Sequence, residues 1–331
     1  MIKKQNMGWA WLSLALFGFL GICIKLPAYN EQEVLKSSIE RLWQIESELK
    51  QSQQITMDSG ILIVDDGSVD QTWPIIEQLH QKQPAISGLR FSRNFGHQAA
   101  LLAGLTTAVW DADVMITIDA DLQDDPEKIP AMIEQYQAGC EIVYGVRSDR
   151  QTDSWFKRNT AALFYSLMHK MGVIMIPDSA DFRLLSNRAV HALLKYSERG
   201  LFLRGLVPQL GFQTGRVEYR RTPRLAGKTK YSLKKMVGLA LNGITSLTSI
   251  PLRLIFWLGM LACMLAIGMG IFTLTVHLLG KTMRGWSSLM LSLWFIGGVQ
   301  LMSIGVIGEY LSKVLVEVKH RPRFIVDQHL K

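Results

Sequence analysis

The chain has 331 residues, of which 48% are hydrophobic, and its formal net charge at pH 7 is +8. This length is enough for one large domain or for two. Its basic residues cluster beside apolar runs near the C-terminus, which argues against nucleic acid as a partner. The three cysteines show neither metal-binding spacing nor a disulfide pattern, which is typical of a reduced compartment.

The first 20 residues form an apolar extension. Lys3 and Lys4 precede an uncharged run from Gln5 to Ile24. Because residues 21–26 are needed for the first predicted strand, about 12 apolar residues remain, fewer than the roughly 20 that cross a bilayer. No small-residue cleavage site precedes that strand. We expect an interfacial or partly ordered extension, and a third membrane span is the alternative.

Short apolar runs alternate with amphipathic stretches over residues 20–225. The predicted strands are 21–26, 60–64, 86–91, 114–118 and 141–146, and the predicted helices are 31–50, 73–83, 97–108 and 129–137. This alternation predicts βαβ units, and hence an α/β fold with a mostly parallel sheet flanked by helices. Ligands of such sheets bind at the carboxyl ends of the strands.

Polar segments follow the first two predicted strands directly. The first runs from Pro27 through Tyr29 to Glu31, and the second begins with Asp65 and Asp66. The Asp66 carboxylate is suited to accept hydrogen bonds from a base or from ribose hydroxyls. An ordinary turn with a helix cap is the alternative for each segment.

The fourth predicted strand ends in two carboxylates, Asp119 and Asp121, with Gln123 two residues later. Charges of one sign at a strand end repel each other, and hard oxygen ligands suit Mg²⁺ or Mn²⁺. A divalent ion with so few protein ligands keeps positions for phosphate oxygens. The alternative is an acidic turn in which Asp124 or Asp125 caps the next helix.

Two later runs carry no Asp, Glu, Lys or Arg: residues 254–280 and 287–308. Each is long enough to cross a bilayer, and the alternative is a pair of buried helices in a soluble bundle. Basic residues flank the pair, so the positive-inside rule places both flanks in the cytoplasm. The amphipathic segments 155–171 and 232–249 are candidates for helices in the membrane interface, and for the first an ordinary core helix is equally open.

Together these motifs resemble the family 2 nucleotide-sugar glycosyltransferases, whose fold is called GT-A. A narrower resemblance is to the polyprenyl-phosphate sugar transferases, the group of dolichyl-phosphate mannose synthase and bacterial undecaprenyl-phosphate glucosyltransferases. It covers roughly residues 21–326 and depends on the segments 93–97, 119–124, 181–183, 227–231 and 308–310. Lys25 departs from the pattern, because the strand that contains it is usually wholly apolar.

The resemblance implies a metal-dependent hexosyltransferase and assigns roles to particular residues. The ligands of Mg²⁺ or Mn²⁺ would be Asp119, Asp121 and Gln123. The nucleotide pocket would be lined by Pro27, Tyr29, Glu31, Asp65 and Asp66. The phosphate ligands would be Arg147, Arg183 and Lys230, and the catalytic residues Asp181, Arg183 and Asp121.

Several of these roles have alternatives. Arg147 and Lys230 could be solvated surface charges, and Arg183 could form a structural ion pair with Asp181. Asp181 is either a general base or a residue that orients Arg183. A phosphate monoester has its second pKa near ~6, so it is largely its own nucleophile at pH 7. His97 is interpreted as a helix cap near the nucleotide.

The predicted domain order follows from these features. It comprises an N-terminal extension (1–20), a cytoplasmic GT-A domain (21–230), a juxtamembrane amphipathic helix (231–253), two transmembrane helices with a short external loop (254–311) and a basic cytoplasmic tail (312–331). Glycines in the second span would permit a homo-oligomer.

The predicted activity is inverting transfer of a single sugar, with glucose expected, from a UDP-sugar to undecaprenyl or dolichyl phosphate. It would take place at the cytoplasmic face of the inner or plasma membrane, as in cell-wall or O-antigen glycosylation. The alternatives are another nucleotide sugar, a diacylglycerol-type acceptor, or a non-catalytic membrane scaffold with a degenerate transferase domain.

Overall fold

The computed structural model of the chain describes residues 20–108, 112–148, 176–199, 202–220, 248–279 and 285–331. Within these residues the chain forms two compact units, one from residues 20–220 and 322–331 and the other from residues 248–321. Four predicted features lie outside the described residues. They are the N-terminal extension up to residue 19, the amphipathic segment 155–171, nearly all of the segment 232–249, and Lys230 with its motif.

The first unit is built on a mixed sheet, which has eight strands among the described residues. They are β1 (Ile22–Ala28), β2 (Gly60–Asp65), β3 (Ile86–Phe91), β4 (Val114–Thr117), β5 (Ile142–Arg147), β6 (Ser179–Ser186), β7 (Thr214–Tyr219) and β8 (Val326–Leu330). Their order across the sheet is β7-β5-β6-β4-β1-β2-β3-β8. The pairs that involve β6 or β8 are antiparallel and the others are parallel.

Helices cover both faces of this sheet. They are α1 (Leu35–Gln51), α2 (Thr72–Lys82), α3 (His97–Ala108), α4 (Ile129–Gln137), α5 (Asn187–Leu194) and the short α6 (Leu203–Leu206). The apolar residues of α1 recur at helical spacing and are buried in the larger core cluster, together with side chains of α2 and α4. Residues of α3 pack in a second cluster on the other face. The α/β fold and the first five predicted strands are confirmed.

The strand β6 is the main addition to the predicted sheet. It lies between β4 and β5, antiparallel to both, and all eight of its residues are buried. The hydroxyl of Thr117 on β4 donates to the carbonyl of Asp181 on β6. Because β6 runs against β4, its first residues lie at the carboxyl edge of β4.

The C-terminal residues also join the sheet. The sequence predicts a tail over residues 312–331, whereas in the structure β8 pairs antiparallel with β3. Phe324, just before β8, stacks on Phe91 with 5.2 Å between the ring centroids. The guanidinium of Arg323 donates to the Tyr196 carbonyl at 2.6 Å. The end of the chain is therefore part of the same unit as β1 to β7.

The second unit consists of two long apolar helices, α7 (Ile250–Leu278) and α8 (Trp286–Val318). Both are long and apolar enough to cross a membrane, over Ile250–Met269 and Phe295–Val318. Apolar side chains are exposed along both, Trp257 by 66% and Phe295 by 71%. The predicted spans fall within or beside these helices, but α8 continues past Gly308 to Val318.

Candidate active site

The candidate site lies at the carboxyl edge of the parallel strands. The loops after β1, β2, β3 and β4 leave the sheet at this edge, because those four strands run in one direction. The first residues of β6 reach the same edge, where Arg183 is in register with Thr117. The predicted site residues of five separate segments are thereby brought to one side of the sheet, where ligands of parallel sheets bind.

The loops after β1 and β2 are tied to each other. Asn30 adopts a left-handed conformation with φ of 53°, and its N–H donates to Ser68 Oγ at 2.9 Å. Its Oδ1 accepts a hydrogen bond from the Val69 N–H at 3.0 Å. The side chain of Tyr29 is left 38% exposed, and Glu31 is half-buried. Both predicted nucleotide ligands are therefore accessible at the rim of the edge.

The other three predicted nucleotide ligands, Pro27, Asp65 and Asp66, are buried. Pro27 lies within β1, in register with Val64 of β2. Asp65 is fully buried, accepts a hydrogen bond from the Ser68 N–H at 3.0 Å and has its Oδ2 3.7 Å from Arg90 Nε. Burial raises the pKa of the Asp65 carboxyl above its usual value. Pro27 and Asp65 therefore lie beneath the surface at the carboxyl edge.

Asp66 holds the loop that follows β3. Its Oδ1 accepts from the Phe95 N–H at 2.7 Å, and its Oδ2 accepts from the Gly96 N–H at 2.9 Å. Gly67 permits this packing, because it has φ of 67° and a Cβ there would lie 2.4 Å from the carbonyl carbon of Arg93. The Asp66 carboxylate thus fixes the backbone of the loop after β3, which lies 29 and 30 residues further along the chain.

The predicted metal-binding segment forms a tight turn after β4. Leu122 has φ of 43°, and its N–H donates to the Asp119 carbonyl at 3.2 Å. The Gln123 N–H donates to Asp121 Oδ1 at 3.2 Å. A left-handed conformation costs free energy in a residue with a branched side chain, and such conformations cluster at functional sites. The turn places two carboxylates and one amide in a single loop.

The electrostatics of this turn fit a cation. Among the described residues, Asp119 Oδ1 is buried and accepts no hydrogen bond, although His97 Nε2 lies 3.5 Å away. Burial raises the pKa of the Asp119 carboxyl to about 6. The neighbouring His97 lowers this pKa, and the negative charges of Asp181, Asp124 and Asp121 raise it. A bound divalent ion would relieve this cost.

The ligands available for such an ion are few. Within the parts of the chain that the structure describes, no three His, Cys, Asp or Glu side chains are grouped so as to hold a metal by themselves. Asp119, Asp121 and the Gln123 amide suit an ion whose remaining positions are filled by oxygens of a bound ligand.

Arg147 is tied to the residue that follows the metal-binding turn. Its Nη2 donates to Oδ1 of the fully buried Asp124 at 3.0 Å, and its Nε donates to the Tyr219 hydroxyl at 3.2 Å. The Tyr219 hydroxyl in turn donates to the same Asp124 oxygen. The carboxyl end of β5 is thereby linked to β7 and to the acidic turn.

Two arginines and one histidine surround the Asp181 carboxylate. The buried Arg183 donates to its Oδ1 and, at 3.4 Å, to the Leu203 carbonyl. Arg204 donates from Nε to Oδ1 at 3.3 Å and from Nη2 to Oδ2 at 3.0 Å. His97 Nε2 lies 3.3 Å from Oδ2, so the histidine side chain faces two carboxylates of the site.

This arrangement keeps Asp181 ionised. Burial alone would raise the pKa of its carboxyl, but Arg204, His97 and Arg183 outweigh burial and hold that pKa well below the usual value. A carboxylate with so low a pKa is a weak proton acceptor near neutral pH. The geometry therefore favours an orienting role for Asp181.

The structure brings most of the predicted site residues to one edge and adds Arg204 to them. Lys230 is outside the described residues. Arg204 is not among the predicted residues, because its partner Asp181 lies 23 residues away in the sequence.

Comparisons with known proteins agree with this architecture. A family model described as Glycosyl transferase family 2 matches residues 23–193, and one described as GtrB C-terminal hairpin matches residues 250–314. The first match runs from β1 into α5, and the second covers α7 and most of α8.

Relatives from bacteria and from a phage match nearly the whole chain. YkoT of Bacillus subtilis (strain 168), described as an uncharacterized glycosyltransferase, is 47% identical over 92% of this chain and 91% of that protein. The bactoprenol glucosyl transferase of Shigella phage SfV is 40% identical over 92% of this chain and 97% of that protein. A prophage bactoprenol glucosyl transferase homolog of Escherichia coli (strain K12) is 40% identical over 93% of this chain and 98% of that protein. The chain therefore belongs to glycosyl transferase family 2, and its mixed sheet is of the GT-A type.

Proposed function

We propose that the protein transfers a single glucose from UDP-glucose to a polyprenyl phosphate, with inversion at the anomeric carbon. The observation that carries this proposal is the 40% identity to the bactoprenol glucosyl transferase of phage SfV, which extends over 97% of that relative. The match is long enough to include both the sheet with its site and the two apolar helices. It supports glucose as the sugar and a polyprenyl lipid as the acceptor.

The donor would bind at the carboxyl edge of the sheet. Tyr29 and Glu31 are accessible there for the nucleoside, and Asp119, Asp121 and Gln123 would hold Mg²⁺ or Mn²⁺ on its diphosphate. When bound, the cation would neutralise charge that develops on the leaving nucleoside diphosphate. The buried, hydrogen-bond-deficient Asp119 Oδ1 supports a cation at this position.

The acceptor phosphate would act as its own nucleophile. One of its oxygens forms a bond to the anomeric carbon while the bond from that carbon to the β-phosphate oxygen breaks and UDP leaves. A single displacement of this kind inverts the configuration. Because the second pKa of a phosphate monoester is near ~6, the dianion is abundant at pH 7 and needs no strong base. The low pKa of Asp181 agrees with this chemistry.

The apolar helices would anchor the enzyme in the membrane that contains its acceptor. α7 and α8 meet the length and composition needed for a span. The basic flanks favour a cytoplasmic catalytic domain over residues 21–230, with Lys230 available as a further phosphate ligand. A polyprenyl phosphate cannot leave the bilayer, so a site tethered to that bilayer meets it in two dimensions.

A donor and acceptor screen tests the proposal. Purified full-length protein with Mn²⁺ and undecaprenyl phosphate is expected to form lipid-linked sugar from UDP-glucose in preference to other nucleotide sugars. Protein with Asp121→Asn serves as the control for metal-dependent chemistry. Product from diacylglycerol, with none from undecaprenyl phosphate, would assign the enzyme to the alternative acceptor class. If product forms from another nucleotide sugar in preference to UDP-glucose, that sugar would replace glucose as the assigned donor.

A further inference from the structure

Arg204 is the feature of the site that the proposed roles leave unused. It lies on the short helix α6, between β6 and β7, and its side chain is 37% exposed. Two of its nitrogens donate to the two oxygens of Asp181, at 3.3 and 3.0 Å. Arg204 is thus fixed in place and still reaches solvent.

More than one cation contacts the Asp181 carboxylate. One carboxylate faces the guanidinium groups of Arg183 and Arg204, with His97 as a further neighbour. Arg183 is 3% exposed, so it balances Asp181 within the protein interior. Of these two guanidinium groups, that of Arg204 reaches the surface, and positive charge in a cleft attracts anions.

The cluster is also close to the metal-binding turn. Three successive contacts, none longer than 3.5 Å, lead from Arg204 to Asp181, from Asp181 to His97 and from His97 to Asp119. A donor diphosphate bound at Asp119 would place its sugar beside this cluster. In-line displacement requires the attacking phosphate on the side of the sugar away from the leaving diphosphate.

We propose that Arg204 binds the phosphate of the lipid acceptor, and that Asp181 acts as a positioning residue that holds the Arg204 fork toward it. This assignment rests on the proposed function, because it takes the acceptor to be a phosphate monoester. Arg forms paired hydrogen bonds with phosphate oxygens, which makes it suited to a doubly charged terminal group. Arg183 is too deeply buried for the same task.

Binding of a short acceptor analogue tests Arg204 without depending on turnover. Farnesyl phosphate and farnesol differ only in the phosphate, so the ratio of their affinities isolates its contribution. For full-length protein in detergent, Arg204→Gln is expected to weaken farnesyl phosphate about tenfold or more, in line with lost charge-assisted hydrogen bonds. Affinities for farnesol and for UDP should stay as in the wild type. Arg204→Lys keeps the charge but loses the planar fork, so its affinity for farnesyl phosphate should lie between those of the wild type and Arg204→Gln.

The matched control is Arg188→Gln. Arg188 also pairs with a carboxylate, Glu141 at 2.9 Å, but is 73% exposed and lies at the start of α5, away from the carboxyl edge. It should leave all three affinities unchanged. Wild-type affinity for farnesyl phosphate in Arg204→Gln, or an equal loss for UDP, would overturn the assignment.

A measurement on the wild-type protein covers the case in which the variants do not fold. Farnesyl phosphate is expected to protect Arg204 from modification by phenylglyoxal, whereas farnesol is not, and Arg188 should react in both cases. Absence of that protection would overturn the assignment. If the protein binds farnesyl phosphate through Arg204 but transfers sugar to no lipid phosphate, the assignment stands and the proposed function fails.

Discussion

Arg147 donates from Nη2 to Oδ1 of Asp124 at 3.0 Å, so a predicted phosphate ligand is held by a wholly buried carboxylate next to the metal-binding turn. The Tyr219 hydroxyl completes this network by donating to the same oxygen. Any anion that Arg147 contacts would therefore be coupled to the position of the acidic turn.

Asp124→Asn tests this coupling. Loss of the buried charge leaves Arg147 and Tyr219 poorly paired, so we expect the free energy of unfolding to fall by about 1–3 kcal/mol. Activity with UDP-glucose should fall as well. The control is Asp125→Asn, whose Oδ1 accepts the Glu127 N–H at 3.1 Å and caps a short turn. Its cost should be about 1 kcal/mol or less. Equal effects of the two changes on denaturant unfolding would contradict the coupling.

Asp181→Asn separates the base from the positioning role. The pKa of Asp181 is depressed in the folded protein, so the stability that its charge contributes is present above the unfolded value near ~3.9 and is lost only as pH falls further, through the folded value. Asp181 therefore stays ionised throughout an assay range of pH 5–9, because this range lies above even the ordinary pKa of an aspartate, ~3.9.

The acid limb of the activity profile should then come from the acceptor phosphate, near pH ~6, in both wild type and Asp181→Asn. With saturating acceptor, the variant should retain kcat within about tenfold of wild type, whereas loss of a general base costs roughly 10²–10⁴-fold. A kcat loss of that larger size, with an unchanged acceptor KM, would show that Asp181 is the base.

Gly67→Ala tests the packing of the loop after β3 against the loop after β2. Its Cβ would lie 2.4 Å from the carbonyl carbon of Arg93, and its φ of 67° strains any other residue. Gly211→Ala is a matched control, because φ there is 72° but nothing lies within 4 Å of the added atom. We expect the control to cost about 1–2 kcal/mol from conformation alone.

The Gly67 variant should lose a further 1–3 kcal/mol, roughly the cost of overpacking, and should bind UDP more weakly. The free energies of unfolding of the two variants, measured under the same conditions, give the comparison. Equal losses would mean that the contact with Arg93 relaxes freely.

Phe324→Ala tests the contribution of the C-terminal segment to the sheet unit. The ring stacks on the buried Phe91, so its loss should lower the free energy of unfolding by about 1–2 kcal/mol. Ile325→Ala removes a side chain that is 50% exposed and should stay within about 0.5 kcal/mol of wild type. If both variants have the same free energy of unfolding as the wild type, the segment does not stabilise the unit.

The parts of the fold that follow from local pattern were predictable. β1 to β5 are short apolar runs that alternate with helical periodicity, and their polar ends mark the edge where the site lies. The strand β6 is different, because the ion pair of Asp181 and Arg183 interrupts its apolar pattern and is buried. Its place depends on pairing with β4 and β5. β8 is polar and exposed, and becomes a strand because β3 offers a free edge.

The candidate site also has one part that follows from local sequence and another that depends on contacts between distant segments. Asp119, Asp121 and Gln123 are close together in the sequence, so their spacing predicts a cation site, with an acidic turn that caps the next helix as the alternative. Arg204 meets Asp181 across 23 residues, and Tyr219 meets Asp124 across 95, so neither pair has a local signal. His97 begins α3, and the expectation of a helix cap near the nucleotide followed from that position alone. Its contact with Asp181 comes from the antiparallel course of β6, and its contact with Asp119 from the turn after β4, which lies at the same edge.

The central claim is metal-dependent transfer of one glucose to a polyprenyl phosphate, and the anomeric configuration of the lipid product tests it most directly. Full-length protein is incubated with UDP-glucose, undecaprenyl phosphate and Mn²⁺, and the product is analysed by mass spectrometry and by the proton coupling of the anomeric centre. We predict one hexose per lipid phosphate in the β configuration, formed by the wild type and lost with EDTA or in Asp121→Asn. An α-linked product, product unaffected by EDTA, or no lipid-linked product with any donor would contradict the account.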